Sequence, residues 1–269
     1  MSGSFLADMV ERVAVEATSA DYARGVPERR PRPPPSFRAA VERERGRGAL
    51  VVEYKRASPA GGSPLPPPRT IEEFLAVTGV DGVAGYSCLA TATGFDGAPA
   101  RVAELVARTD RPVLFKEFIV EEGQLDVAAR TGAAAVLLLA RLGREGLMHS
   151  PLAALARGAH DRGLEVLLEL HDSAELSQVD GVEADVYGVN TRDLATLRFE
   201  RPTAYATIER AVARGLRPLL GLSGVDGPAD ARELWSRGCD GLLVGTSVAR
   251  SADPSRLLAS LRRPAEVAP

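Results

Sequence analysis

From Ala49 onward the chain alternates short apolar runs with amphipathic stretches, and it does so eight times. The apolar runs cover 49–54, 82–88, 112–116, 134–140, 164–169, 185–190, 218–222 and 240–244. They are rich in Val, Leu and Ala and almost continuous in apolar character, as expected of parallel strands covered on both faces. Helical periodicity falls between them, at 70–78, 98–108, 121–131, 149–161, 172–180, 200–213, 227–236 and 254–262. Punctuation agrees with this parsing: Asp172-Ser173 precedes a run containing Glu175, Gly132 follows Arg130-Thr131, and Gly163 follows the helix that ends near Asp161. Eight strand–helix units predict an α/β chain folded as a single (β/α)8 TIM barrel. An open doubly wound sheet would normally carry a Gly-rich turn after its first strand, and Ala57-Ser58-Pro59-Ala60-Gly61-Gly62 is not G-x-G-x-x-G.

Residues 1–48 form an N-terminal helical extension expected to pack on the barrel of 49–269. Phe5, Leu6, Met9, Val10 and Val13 have the spacing of an amphipathic helix, and the stretch Pro31 to Pro35 leads into a second helix at about 36–45. A Pro-rich segment, Ser63 to Arg69, makes a stiff loop at the C-terminal end of the first strand, where barrel loops carry function.

Composition narrows the partners. Apolar residues make up 45% and aromatics 5%, which favours aliphatic packing. A net charge of −3 gives no case for nucleic acid or an acidic membrane surface, and the basic clusters at 28–32 and 43–47 are diluted by Glu, Pro and Gly. Cys88 and Cys239 are too few for a disulfide framework. No apolar run approaches the roughly 20 residues of a membrane span, and the N-terminus lacks the positive region of a secretory signal. A soluble cytoplasmic protein is expected, with no nucleic-acid or membrane partner and a monomer favoured.

Of 33 Lys and Arg residues only Lys55 and Lys116 are lysine. Arg stays protonated at any working pH, whereas a desolvated Lys can exchange a proton and present a compact charge. Both lysines end an apolar run, Ala49 to Lys55 and Pro112 to Lys116. Active sites of this architecture form at the C-terminal strand ends. Read in order, those ends hold Glu53 and Lys55, Ser87, Lys116, Leu137 and Leu139, Glu169, Asn190 and Arg192, Ser223-Gly224, and Gly245-Thr246. Mixed cations and carboxylates split pKa values into donors and acceptors, so an acid/base site is indicated. A structural salt bridge of Glu53 or Glu169 with an Arg such as Arg192 stays open as the alternative.

Leu222-Ser223-Gly224-Val225 and Val244-Gly245-Thr246-Ser247 follow the last two strands, where barrels of this kind recurrently bind phosphate on backbone N–H groups. His149 and His160 fall on a helix and read as exposed, and His171 reads as a loop residue. No His/Cys/Asp cluster has metal-ligand spacing, so neither a metal nor a cofactor is expected.

Together these residues resemble the indole-3-glycerol phosphate synthase family of tryptophan biosynthesis, over nearly the whole chain. Glu53-Tyr54-Lys55-Arg56-Ala57-Ser58-Pro59 resembles the family's E-x-K-x-x-S-P, Lys116-Glu117-Phe118-Ile119 its K-D-F-I, and Leu168-Glu169-Leu170-His171 its V-E-V-H. Gly188-Val189-Asn190-Thr191-Arg192-Asp193-Leu194 is similar to its G-I-N-N-R-D-L, and the Ser223-Gly224 and Gly245-Thr246-Ser247 turns to its phosphate loops. The resemblance implies a carboxy-lyase that closes an indole ring on a carboxyphenylamino-deoxyribulose phosphate with loss of carbon dioxide and water. It implies Lys116 as general acid and Glu169 as the stabiliser of positive charge on the anilino nitrogen. Glu53 and Asn190 would hold sugar hydroxyls and orient Lys116. Lys55, with Ser223, Gly224, Gly245 and Thr246, would neutralise phosphate or the substrate carboxylate. Ser58, Pro59, Phe95, Phe118, Leu137, Leu139, Arg192, Leu194 and Leu197 would line the substrate, most of them as an apolar wall around its ring.

The chain departs from the family pattern in four places. Leu222 stands where the family carries Glu before the strand-7 Ser-Gly, and Ala60-Gly61 replace a Ser-Lys. Leu89-Ala90-Thr91 replaces Leu-Thr-Glu, and Glu117 replaces the Asp after the catalytic Lys. A diverged barrel acting on a related phosphorylated sugar adduct, or a noncatalytic barrel subunit, are the competing readings. Indole formation that requires Lys116 separates the first reading from both.

Overall fold

A computed structural model describes residues 5–57, 65–66, 69–193 and 196–264. Eight parallel strands close on themselves in sequence order: β1 Ala49–Tyr54, β2 Val83–Leu89, β3 Val113–Lys116, β4 Ala135–Leu139, β5 Glu165–Leu170, β6 Val186–Asn190, β7 Leu219–Leu222 and β8 Gly241–Val244. β1 pairs with β8 as well as with β2, so no strand edge is left open. The observed chain is therefore a (β/α)8 barrel, with each strand within a residue or so of its apolar run.

Strand alternation divides the core into two layers. Leu50, Val52 and Tyr54 of β1, Val113 and Phe115 of β3, and Val166, Leu168 and Leu170 of β5 belong to the apolar layer shared with the surrounding helices. Their neighbours Val51, Leu114 and Leu167 belong to the barrel interior, with Leu137, Leu139, Leu220, Leu222 and Leu243. Continuing the interior parity toward the C-terminal strand ends brings in Glu53, Lys116, Glu169 and Asn190. The alternation that packs the barrel thus also aims the polar groups at its mouth.

Around the strands lie α3 Ile71–Thr78, α4 Pro99–Ala107, α5 Glu122–Thr131, α7 Leu152–Asp161, α8 Arg201–Ala213, α9 Pro228–Ser236 and α11 Pro254–Leu261, with short helices α6 Ala140–Arg144 and α10 Thr246–Arg250. Local chemistry starts and stops them. Thr70 and Glu73 form a capping box on α3, Asp253 caps Arg256 N on α11, and Gly132 ends α5 in the left-handed region at φ 84°. The helix expected at 172–180 is a 3-10 segment, Ser173–Val179, capped by Asp172 through Ala174 N and Glu175 N. Its tight winding turns Glu175 inward, where the carboxylate accepts from His171 N at 2.7 Å.

Before the barrel come α1 Phe5–Ala17 and α2 Phe37–Glu44. Ser36 Oγ and Arg38 N both donate to Glu165 at the start of β5, which sets α2 under the N-terminal ends of the strands. α1 buries Leu6, Met9, Val10 and Val13 in the cluster that holds Phe118, Val120 and Leu142, and Thr93 Oγ1 donates to Glu16 at its end. That places α1 at the opposite end, beside the barrel mouth.

Candidate active site

Glu53 is the hinge of the polar cluster. Its Oε1 is 2.8 Å from Lys55 Nζ and its Oε2 is 3.2 Å from Lys116 Nζ, so one carboxylate bridges both lysines of the chain. The Glu53 side chain is 3% exposed, against 21% for Lys116, which therefore presents its ammonium to the mouth. Burial alone would raise the Glu53 carboxyl, but the ammonium groups of Lys116 and Lys55 outweigh it and hold the group at about 2. Burial likewise would lower Lys116, and Glu53 and Glu169 reverse the sign, so its pKa is raised above the ordinary lysine value.

Glu169 and Asn190 stand on adjacent strands, β5 and β6. Asn190 Nδ2 donates to Glu169 Oε1 at 2.9 Å, and Asn190 Oδ1 accepts from Arg192 N at 3.0 Å. His171 Nε2 is 3.1 Å from the same Glu169 oxygen. Burial opposes ionisation of Glu169, but His171, Lys116 and Asn190 together lower its pKa below the ordinary value. The alternative pairing of these carboxylates with Arg192 is not observed. Arg192 Nη1 donates to Leu197 O at 2.8 Å and its guanidinium lies 4.2 Å from the Phe199 ring centre, so it stiffens the loop after β6.

One pocket joins these groups to an apolar wall. Lys55, Lys116, Glu169, Asn190, Arg192 and Ser223 line it, together with Phe95, Phe118, Leu137, Leu139 and Leu197. The Phe95 and Phe118 ring centres are 6.3 Å apart in a tilted pair, which gives a flat substrate ring an aromatic neighbour. Ser58, Pro59 and Leu194 lie outside the described residues.

Of the glycine turns after β7 and β8, Ser223 reaches this pocket, while Gly224, Gly245 and Thr246 are not among its lining. Ser223 and Gly224 both have positive φ, 63° and 68°, so the turn after β7 is wound in the left-handed region. Thr246 opens α10. A second pocket, bordered by Glu53, Lys55, Arg69, Val248 and Ala249, lies toward α10, and Lys55 borders both.

Five residues at the mouth were not singled out for the site by sequence reasoning. Phe5, Leu89, Thr91 and Glu117 line the main pocket. Thr91 Oγ1 and Phe118 N donate to Glu117 Oε1, and Tyr22 OH donates to Oε2 at 3.5 Å. Burial nevertheless raises the Glu117 carboxyl to about 7. His171, read as a loop residue, is buried against Glu169. The available signal was its spacing: two residues beyond Glu169, it continues the same strand parity. His160, read as exposed, instead pairs with Asp185 at 2.8 Å on the outer face, whereas His149 is 57% exposed. Leu222 is 2% exposed and packs on Gly188, where an added Cβ would come within 2.7 Å of it, so an apolar contact occupies that place.

Among the described residues no group of His, Cys, Asp and Glu is arranged to hold a metal ion, and no helix is long and apolar enough to cross a membrane.

A family model described as Indole-3-glycerol phosphate synthase matches residues 5–261. The chain is 37% identical over 229 residues to Indole-3-glycerol phosphate synthase 2 of Streptomyces coelicolor, covering 85% of this chain and 86% of that protein. It is 35% identical over 221 residues to Indole-3-glycerol phosphate synthase of Deinococcus radiodurans, covering 81% and 79%. Among solved structures, Thiamine phosphate pyrophosphorylase from Pyrococcus furiosus superposes with a TM-score of 0.57 at 14% identity, covering 81% of this chain and 95% of that one. At that identity the likeness concerns the fold alone.

Proposed function

The chain belongs to the indole-3-glycerol phosphate synthase family, and from that premise we propose how its barrel mouth divides the labour of ring closure. It is a carbon–carbon carboxy-lyase of tryptophan biosynthesis acting on 1-(2-carboxyphenylamino)-1-deoxyribulose 5-phosphate. The ring carbon that bears the carboxylate attacks the ribulose carbonyl carbon, forming the new C–C bond. Lys116 gives its proton to the carbonyl oxygen as that bond forms. The C–CO2 bond then breaks and its electron pair restores the aromatic ring. Loss of the former carbonyl oxygen as water completes the pyrrole ring and yields indole-3-glycerol phosphate.

Glu53 and Asn190 hold the sugar hydroxyls, and Glu53 also keeps Lys116 in place. Glu169 faces the anilino nitrogen, where its negative charge offsets the positive charge that develops during attack and assists dehydration. Lys55, bordering both pockets, neutralises the phosphate or the substrate carboxylate, with Ser223, Gly224, Gly245 and Thr246 supplying backbone N–H groups and hydroxyls. Phe95, Phe118, Leu137, Leu139 and Leu197 enclose the anthranilate ring with Arg192 at its rim, and the family motifs add Ser58, Pro59 and Leu194 as substrate-binding residues. A monomer working in the cytoplasm without a cofactor fits these assignments.

The observation that carries the reading is the Glu53 carboxylate bridging Lys55 and Lys116 beneath a pocket with an aromatic wall. Such an arrangement offers a fixed proton donor beside a place for an apolar ring, and a positioned donor contributes about 10²–10⁴ in rate. Incubation of the purified protein with the anilino-ribulose phosphate tests it. Indole fluorescence should rise with one carbon dioxide released per product. Tight binding of the substrate without either product would instead favour the diverged-barrel reading.

A further inference from the structure

His171 has no part in the reaction as assigned above, yet its side chain is 3% exposed within the catalytic cluster. Its Nε2 lies 3.1 Å from Glu169 Oε1 and its Nδ1 lies 3.5 Å from Glu175 Oε2. Ionised carboxylates offer only acceptors, so both ring nitrogens face groups that favour an N–H, and the doubly protonated ring suits the place. The ring is also fixed from behind. His171 N donates to Glu175 Oε2 at 2.7 Å, Glu175 Oε1 is 3.1 Å from Arg141 Nε, and Arg141 Nη1 donates to Asp193 at 2.6 Å.

On the other side, Asn190 Nδ2 and His171 Nε2 converge on one oxygen of Glu169, while Oε2 is buried with no hydrogen-bond partner among the described residues. The terminal torsion of a glutamate is broad, so a carboxylate with two equivalent oxygens would rotate. The Asn190 hydrogen bond and the 3.1 Å charge contact with His171, both on Oε1, oppose that rotation.

We propose that His171 is a positioning residue for ring closure: held between Glu169 and Glu175, it engages Oε1 of Glu169 and thereby presents Oε2 to the substrate. The inference rests on the reading of Glu169 as the carboxylate that serves the anilino nitrogen. The charged groups around the ring are Glu169 from β5, Glu175 from the 3-10 segment and Arg141 from α6, with Asp172, Asp193 and Glu200 lining the adjoining pocket. Lys116 on β3 acts on Glu169 from across the mouth. Burial alone would lower the pKa of the ring, and the two carboxylates outweigh it and hold the imidazolium to about 9. The positive charge therefore persists through neutral pH and is lost as pH rises through that value.

Steady-state kinetics of full-length His171→Gln, Glu175→Gln and Glu169→Gln, between about pH 6 and pH 10, test the proposal. His171→Gln should lower kcat about 10²-fold with little change in KM, the cost of a misplaced catalytic group. In a Glu169→Gln background the same substitution should cost almost nothing more, because both act through one carboxylate. Glu175→Gln should move the alkaline limb of kcat to lower pH. Wild-type kcat and pH profile in His171→Gln, or losses that add in the double variant, would overturn the proposal. Should His171→Gln fail to fold, an unmoved alkaline limb in Glu175→Gln would overturn it. Absence of indole product from the wild type would sink the reaction assignment instead. In that event an NMR titration of the wild-type ring decides the placement, supporting it with a pKa well above the ordinary histidine value and overturning it with an ordinary or lower one.

Discussion

A Cβ added to Gly245 would lie 2.8 Å from Oε1 of Glu53 and 3.0 Å from its Cβ, so the turn after β8 is the seat of the carboxylate that bridges the two lysines. The turn after β8 and the Glu53–lysine cluster are thereby one mechanical unit. Gly245→Ala should push Glu53 off its seat and move both ammonium groups with it. We expect kcat/KM to fall about 10²-fold, with a stability loss of about 1–3 kcal/mol from overpacking. Steady-state kinetics and urea unfolding measure the two effects, and full activity in the variant would separate the turn from the cluster.

Lys55 and Lys116 share one carboxylate but face different surroundings, since only Lys55 borders the second pocket. Lys55→Met should therefore raise KM more than it lowers kcat, as expected when an interaction common to ground and transition states is removed. An equal loss in kcat and kcat/KM would show Lys55 acting on the reacting atoms.

Glu117 carries a pH signature. Its carboxyl is raised by burial from 4.5 to about 7, so between those values the native state binds more protons than the unfolded chain. Stability must then fall as pH rises through that interval, by roughly 3 kcal/mol for this group if it acted alone. Glu117→Gln, which keeps the acceptor used by Thr91 and Phe118 N, should remove that fall. Thermal melts of both proteins across the interval check the sign, and identical pH dependence would contradict it.

Leu222 occupies the place where the resemblance expects a carboxylate, and it is buried against Gly188 in the barrel interior. Leu222→Ala should cost about 2–5 kcal/mol in equilibrium unfolding, the range for opening a cavity at a Leu site. A near-neutral result would mean that the neighbouring leucines close over the space.

Much of this was legible in the sequence because each layer of the fold has a period. Strands covered on both faces read as continuous apolar runs, and a two-residue parity carries Val51 to Glu53 and Lys55, and Leu114 to Lys116, toward the barrel mouth. The short helix Ala140–Arg144 was not legible, because the apolar run from Ala133 continues into it without punctuation. The 3-10 winding of Ser173–Val179 was not legible either, because it turns Glu175 inward onto Arg141, a partner distant in sequence. Pairing was harder still. Whether Glu169 meets Arg192 or His171 turns on loop geometry after β6, where Phe199 draws the guanidinium aside.

The most direct test of the account is a single-turnover reaction of the anilino-ribulose phosphate with Lys116→Met, read by indole fluorescence beside a separate measurement of substrate binding. The account predicts that binding persists while the ring-closing rate drops by about 10²–10⁴. Ring closure at close to the wild-type rate without the Lys116 ammonium would contradict it.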